Sequence, residues 1–173
     1  SRFTINVSTG TLAFATSPNF EVPVDANQNN VYEVEVEVID NGLGSLKDKQ
    51  TITVAVSDIN DAPVITSNGG GSTANLTVKE NQVQVTTVLA LDEDSDNLTF
   101  SLSGGVDKDK FSIDSDTGEL AFLTLPDFEN PSDSDSNNEY EVEVTVREVG
   151  ASGLSDLQVI TVKINDEYEI PVF

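Results

Sequence analysis

Apolar and polar residues alternate along several short stretches of this chain. The clearest stretch runs from Tyr32 to Val38, where a tyrosine and three valines alternate with three glutamates. A period of two is typical of a strand with one face in a core and the other in water. No stretch of useful length has the period of a helix. The pattern therefore predicts an all-β chain.

Similar patterns predict further strands in the later part of the chain. Glycine-rich and polar turn residues separate these patterns, as in all-β domains. The predicted strands are Asn75–Val78, Val85–Leu91, Leu98–Leu102, Phe111–Ile113, Glu119–Leu123, Tyr140–Val146 and Gln158–Ile164.

The sequence repeats itself at one fixed offset, without a gap from Arg2 to Ile65. Phe3 matches Phe111 and Tyr32 matches Tyr140, each 108 residues further along the chain. A repeat of domain length built from short strands indicates tandem β-sandwiches. We therefore predict Greek-key sandwiches of immunoglobulin-like architecture: residues 1–65 form the later part of one module, and residues 66–173 form a complete module.

Composition excludes several classes of partner and of reaction. Acidic residues number 31 against 8 basic ones, which gives a net charge of −23 and argues against nucleic acid or an anionic membrane as partner. No apolar run is long enough for direct membrane insertion. The chain has no Cys and no His, so the commonest general base and nucleophilic thiol are absent. We therefore expect a protein that is not an enzyme.

A cluster of oxygen-bearing residues indicates calcium chemistry. The run Asp58–Pro63 follows an apolar alternating stretch and contains three carboxylate or amide side chains within four residues. Calcium accepts carboxylates, amides and backbone carbonyls in a flexible shell, whereas zinc prefers nitrogen or sulfur and magnesium demands near-ideal octahedral geometry. The sequence therefore predicts calcium as the bound ion.

Four motifs in order resemble those of the cadherin repeat, and more closely the cadherin-like repeats of large bacterial surface proteins. The run Asp58–Pro63 is similar to the D-x-N-D-x-x-P linker, with its proline one place early. Lys79–Asn81 resembles x-E-N, Asp92–Asp94 resembles D-x-D, and Asp127–Glu129 stands where the family has D-R-E. The resemblance covers the whole chain in two copies.

The resemblance implies calcium between successive modules. At the junction inside this chain, the implied ligands are Glu21, Asp58, the Ile59 carbonyl, Asn60, Asp61, the Ala62 carbonyl, Asp92, Asp94, the Asn97 carbonyl and Glu148. A second set would face a further module: Glu80, Asp127, Glu129, Asp166 and Glu169. Asp40 would serve a junction before the first copy. Tyr168 replaces the linker asparagine in the second set, so fewer or weaker ions are expected there.

The function implied is that of a calcium-rigidified adhesion or structural module of a cell-surface or secreted protein. Expected partners are adjacent repeats or other copies of the protein, with a cell-surface protein or a polysaccharide as further candidates. One alternative is a calcium-dependent carbohydrate-binding module. Sugar-binding surfaces rely on exposed aromatic side chains, and the chain has only three tyrosines, which weakens this alternative. Another is a fibre subunit whose incomplete first module is completed by a strand from another copy.

Two acidic stretches have simpler interpretations. The run Ser132–Ser136 is expected to be a solvated loop, with an accessory calcium site as the alternative. Four aspartates are expected to be turn residues, since turns favour aspartate for its bonds to nearby backbone: Asp107, Asp109, Asp114 and Asp116.

Overall fold

The structure is a computed structural model that describes residues 2–150 and 153–169. Residue contacts divide it into two compact units, Ser1–Ile59 (unit 1) and Asn60–Phe173 (unit 2). This division falls six residues before the end of the predicted first module. No helix among the described residues is long and apolar enough to cross a membrane.

The linker residues after Ile59 are bonded to unit 2, which explains the position of the division. The backbone N–H of Asp61 donates to Asp94 Oδ2 at 2.7 Å, and that of Ile65 donates to Asp156 Oδ2 at 2.8 Å. The end of the predicted linker thus packs with the module that follows it.

Unit 1 contains two antiparallel strand pairs among its described residues. Strand β1 (Phe3–Ile5) pairs with β2 (Leu12–Phe14), and β3 (Val31–Ile39) pairs with β4 (Lys47–Ala55). The glutamates of β3 are exposed, as the alternating pattern predicts, and two of them form ion pairs with lysines of β4.

The described residues of unit 2 form nine strands and one turn of 3-10 helix. The 3-10 helix spans Lys108–Lys110. The strands are β5 (Val64–Ile65), β6 (Thr73–Lys79), β7 (Gln84–Thr87), β8 (Ala90–Leu91), β9 (Leu98–Gly104), β10 (Phe111–Ile113), β11 (Glu119–Phe122), β12 (Glu139–Glu148) and β13 (Ser155–Asn165).

These strands form two main sheets and a short pair. The four-stranded sheet has the order β6-β13-β12-β9, in which β6 and β13 run parallel and the other neighbours antiparallel. The three-stranded sheet has the order β10-β11-β7, and β5 pairs with β8. The prediction of an all-β fold is confirmed.

The core of unit 2 lies between its two main sheets. Alternate residues of β12, from Tyr140 to Val146, are at most 1% exposed, and those of β13 from Ile160 to Ile164 are fully buried. They belong to one cluster with Phe111, Leu120 and Phe122 of the three-stranded sheet. Inward-facing side chains of two sheets packed together define a β-sandwich.

The stretch Val85–Leu91 was predicted as one strand, and that prediction is wrong. It contains β7, which pairs with β11, and β8, which pairs with β5. Between them Val88 is fully buried and its N–H donates to the Gly118 carbonyl, while the Leu89 carbonyl accepts from Thr66. The chain changes sheets here, and an apolar run does not reveal such a change.

The repeat is structural as well as sequential. In unit 2 the rings of Phe111 and Phe122 stack at 4.5 Å, and Phe122 meets Tyr140 edge to face at 5.1 Å. The corresponding distances in unit 1 are 4.6 and 5.1 Å, between Phe3, Phe14 and Tyr32. The same aromatic cluster therefore forms in both modules.

Unit 1 buries its strand face less completely than unit 2. Its described strands correspond to β10–β13, and no described strand of unit 1 corresponds to β6, β7 or β9. Val34 and Val36 are therefore partly exposed, whereas their counterparts Val142 and Val144 are fully buried.

Candidate metal centre

Three carboxylates of unit 2 converge after strands of both sheets. Glu80 directly follows β6, and Asp127 and Glu129 lie in the connection between β11 and β12. One carboxylate oxygen from each lies within 4.8 Å of the others. These are three of the residues that the sequence predicted for the second calcium set.

Backbone N–H groups hold Glu80 in place. The Glu167 N–H donates to Glu80 Oε1 at 2.8 Å, and the Phe128 N–H donates to Oε2 at 2.9 Å. Glu80 is only 3% exposed. These two bonds lower the pKa of the Glu80 carboxyl, more than burial raises it. Glu80 is therefore an oriented, ionised carboxylate.

The neighbouring carboxylates repel one another at Glu129. Its own backbone N–H lowers the pKa of Glu129, but lost hydration and the charges of Glu80, Asp166 and Glu169 outweigh that bond and raise the pKa above its usual value. Asp166 and Glu169 are thus close enough to Glu129 to act on it. Glu169 also accepts a bond from Asn81 Nδ2 at 2.7 Å.

This donor set suits a hard divalent cation. It offers charged oxygens and no nitrogen or sulfur, the combination that calcium prefers. A cation would also remove the repulsion that raises the pKa of Glu129. The residues present therefore fit calcium.

A second acidic group lies near the start of unit 2. Asn60 Nδ2 donates to Glu148 Oε1 at 2.9 Å, and the Asp61 N–H donates to Asp94 Oδ2 at 2.7 Å. Glu148 is 3% exposed. The fold thus brings two of the predicted linker ligands, Asn60 and Asp61, together with the predicted D-x-D motif and with the end of β12.

Asp92 and Asp96 add two features to this group. The Asp96 N–H donates to Asp92 Oδ1 at 3.1 Å, whereas Asp92 Oδ2 is buried with no hydrogen-bond partner within the described residues. Lost hydration raises the pKa of Asp96, and the charges of Asp92, Glu148 and Asp94 raise it further. The sequence prediction missed Asp96, although it follows Asp94 by two residues.

The other predicted ligands have varied surroundings. The Asn97 carbonyl accepts the Val149 N–H at 2.8 Å, and the Ala62 side chain is exposed. In unit 1, Glu21 is half-buried, while Asp58 and Ile59 are exposed.

Asp40 has a local role in unit 1. Its Oδ1 accepts the N–H groups of Gly42 at 3.2 Å and Leu46 at 3.1 Å. These bonds close the turn between β3 and β4, so the carboxylate stabilises the hairpin whether or not it also binds an ion.

Comparison with known proteins finds many relatives. No family model matches the chain. Human protocadherin-23 is 34% identical over 152 residues, 84% of this chain, and human protocadherin Fat 1 is 29% identical over 177 residues, 99% of this chain. The chain spans only about 4% of the length of each of these relatives.

Solved structures show the same fold. Mouse cadherin-23 EC22-24 is 23% identical with a TM-score of 0.55, over 96% of this chain and 50% of that one. Drosophila N-cadherin EC1-4 is 16% identical with a TM-score of 0.65, over 95% of this chain and 40% of that one. The similar structures also include extracellular cadherin domains 3-6 of protocadherin gamma B2, 20% identical to this chain.

The narrower prediction of repeats from bacterial surface proteins is not supported, because the relatives found are animal cadherins. This chain has the fold of cadherin domains, and the sequence relatives found for it are animal cadherins, which supports the same family.

Proposed function

We propose that this chain is part of an extracellular adhesion protein in which calcium stiffens the connections between cadherin domains. The observation that carries the proposal is the carboxylate cluster of Glu80, Asp127 and Glu129. Lost hydration and repulsion by the charges of Glu80, Asp166 and Glu169 raise the pKa of Glu129 there. A calcium ion would neutralise this repulsion. The segments that carry the three residues would then be held together.

The order of the motifs supports a second set of ligands at the junction between modules. There the first module with its linker would contribute Glu21, Asp58 and Asp61, and the second module would contribute Asp92 and Asp94. The buried Asp92 Oδ2 without a hydrogen-bond partner among described residues favours a cation near it, because a buried charged oxygen is costly to leave unsatisfied.

Partners are proposed from the same likeness. A similar structure is titled as a cis-dimer of protocadherin gammaB7 EC3-6. We propose adjacent repeats or another copy of this protein as the partner here. A polysaccharide partner lacks support, since Tyr32 and Tyr140 are buried and only Tyr168 is an exposed tyrosine within the described residues.

Thermal unfolding in excess chelator and in millimolar calcium tests the carboxylate cluster of Glu80, Asp127 and Glu129. Extracellular calcium modules bind with dissociation constants of about 10⁻⁴ to 10⁻³ M, so millimolar calcium should raise the melting temperature of the parent. Glu129→Gln should lose most of that rise, because calcium affinity follows the number of charged ligands. In chelator the same variant should be at least as stable as the parent, because it removes a repelled charge.

Glu119→Gln is the matched control, because Glu119 is also an exposed glutamate of unit 2 but lies outside both acidic groups. It should keep the parent's response to calcium. A parent protein whose melting temperature is the same in calcium and in chelator would contradict the proposal. Asp61→Ala and Asp94→Ala test the junction set in the same way.

A further inference from the structure

A loop outside the acidic clusters is built in the same way in both modules. In unit 2 it spans residues 132–138, and we call it the bridged loop. Asp133 Oδ2 accepts the Asn137 N–H at 2.8 Å and Oδ1 accepts the Asn138 N–H at 3.3 Å. Asp133 is 6% exposed, so its carboxylate serves the loop from inside rather than facing solvent.

The loop of unit 1 repeats these contacts 108 residues earlier, over residues 24–30. Asp25 Oδ2 accepts the Asn29 N–H at 2.9 Å, and Oδ1 accepts the Asn30 N–H at 3.1 Å. The sequences of the two loops differ, but the aspartate and the asparagines four and five residues later are the same. The shared arrangement therefore goes with these three positions.

The bridged loop is fixed to the body of unit 2. The Ser132 N–H donates to the hydroxyl of the buried Tyr140 at 3.0 Å. Asp107, 2% exposed, accepts the Ser134 N–H at 2.7 Å and the Glu141 N–H at 2.9 Å. The Asp107 carboxylate thus bridges two segments, while its backbone carbonyl accepts the Lys110 N–H at 2.9 Å and closes a local turn. The loop is held at several points.

From this anchored loop, Asn138 reaches the backbone between two candidate calcium ligands. Asn138 Nδ2 donates to the Phe128 carbonyl at 2.9 Å, and Asn30 Nδ2 donates to the Phe20 carbonyl at 2.8 Å in unit 1. Asn138 has a φ of 64°, in the left-handed region that asparagine tolerates better than most residues. In this conformation the Asn138 backbone N–H donates to Asp133 while the Asn138 side chain donates to the Phe128 carbonyl.

Phe128 is consequently held from two sides. Its N–H donates to Glu80, and its carbonyl accepts from Asn138. Because Phe128 lies between Asp127 and Glu129, these two bonds set the orientation of the peptide units that join the two ligands. A candidate ligand therefore supplies one bond and the bridged loop supplies the other.

We propose that Asn138 is a positioning residue for calcium: by holding the Phe128 carbonyl, it fixes Asp127 and Glu129 in the geometry that the ion requires. This inference rests on the proposed function. Asn138 carries no charge, so its effect on calcium affinity acts through geometry alone. In unit 1 the residue equivalent to Asn138 is Asn30, which would position Glu21 in the same way.

The test uses the whole chain with Asn138→Gly, because glycine keeps the positive φ and removes only the amide donor. Asn137→Gly is the control: its side chain bonds Asp135 and Glu139 but not Phe128. Calcium affinity is measured by isothermal titration, and hydrogen exchange of the Phe128 and Glu129 amides is measured in chelator.

We expect Asn138→Gly to weaken calcium binding about tenfold or more, the usual effect of losing a residue that orients a metal ligand. In chelator its Phe128 and Glu129 amides should exchange faster than those of the parent. Asn137→Gly should change neither. Combined with Glu129→Gln, the glycine substitution should add little to the loss, since both act on the same ligand.

Equal calcium affinity in Asn138→Gly and the parent would overturn the inference and leave the proposed function standing. An equal loss in Asn137→Gly would also overturn it, because general loosening of the loop would then explain the effect. A parent that binds no calcium would instead overturn the proposed function itself.

Discussion

At the scale of single residues, carboxylates of this chain fall into two classes that composition does not separate. Glu80 and Asp133 are largely buried and accept backbone N–H groups, and their pKa values are lowered. Glu129 and Asp96 face other carboxylates, and their pKa values are raised. The first class stabilises the fold when ionised, and the second opposes it unless a cation is present.

Asp133 gives a prediction for pH. Burial opposes the shift, but hydrogen bonds from the backbone N–H groups of Asn137, Asn138 and Asp133 itself and from the Asp135 side chain outweigh it. Together they lower the pKa of Asp133 below its usual value. A lowered pKa in the folded state means that the stabilisation is complete above the unfolded value and is lost as pH falls through the folded value. Asp133→Asn should cost about 1–3 kcal/mol at pH 7, because one N–H loses its charged acceptor.

Urea unfolding in chelator, at pH 7 and in steps below pH 4, checks this expectation. The difference between parent and Asp133→Asn should shrink as the pH falls. Asp109→Asn, at an exposed position of the 3-10 helix, is the control and should leave the stability at pH 7 almost unchanged. A difference that stays constant with pH would contradict the assigned role.

At the scale of elements, β3 and β12 have the same alternating pattern but different surroundings. In unit 2, β12 lies between β9 and β13 and faces the second sheet, whereas among the described residues of unit 1 β3 pairs with β4 alone. Sequence periodicity identifies the face that can be buried. How far it is buried depends on which strands pack against it.

Val144→Ala and Val36→Ala form a matched pair for this difference. Val144 is fully buried, so its substitution should cost about 2 kcal/mol through lost burial and a cavity. Val36 is partly exposed, so the cost there should be smaller, under about 1 kcal/mol. Chemical unfolding of each variant measures both values, and equal costs would show that the two faces are equally covered in solution.

At the scale of the whole molecule, the strands of the two modules correspond to each other residue by residue. β10–β13 of unit 2 have counterparts in β1–β4 of unit 1 at the same offset, and the aromatic cluster has the same geometry in both. Residues 66–108 supply the strands β6, β7 and β9 that cover the core of unit 2. The same segment should therefore fit the open face of unit 1.

This predicts the behaviour of a chain in which a second copy of residues 66–108 is joined before residue 1. The added strands should bury Val34 and Val36, slow hydrogen exchange along β3 and β4, and raise the melting temperature of unit 1 by about 5 °C or more. The control carries Val78→Asp and Phe100→Asp in the added segment and should give no gain. Equal behaviour of the two chains would show that the repeat does not extend to packing.

The sequence by itself determined the strand pattern and the repeat, and it predicted the kind of ion. Strand faces follow from a period of two, and the repeat follows from matching aromatic residues. The prediction of calcium follows from oxygen-bearing side chains clustered beside strand ends. These features are local, so they can be found along the chain without knowing what packs against what.

Only the tertiary structure decided the sheet change at Val88, the parallel pairing of β6 with β13 and the different roles of similar acidic residues. It also revealed Asn138, whose bond to Phe128 joins residues ten positions apart through a loop rich in Asp, Ser and Asn. Such features depend on which backbone groups meet in space. Two residues of the same type can therefore look alike in the sequence, although one accepts backbone N–H groups and the other repels its neighbours.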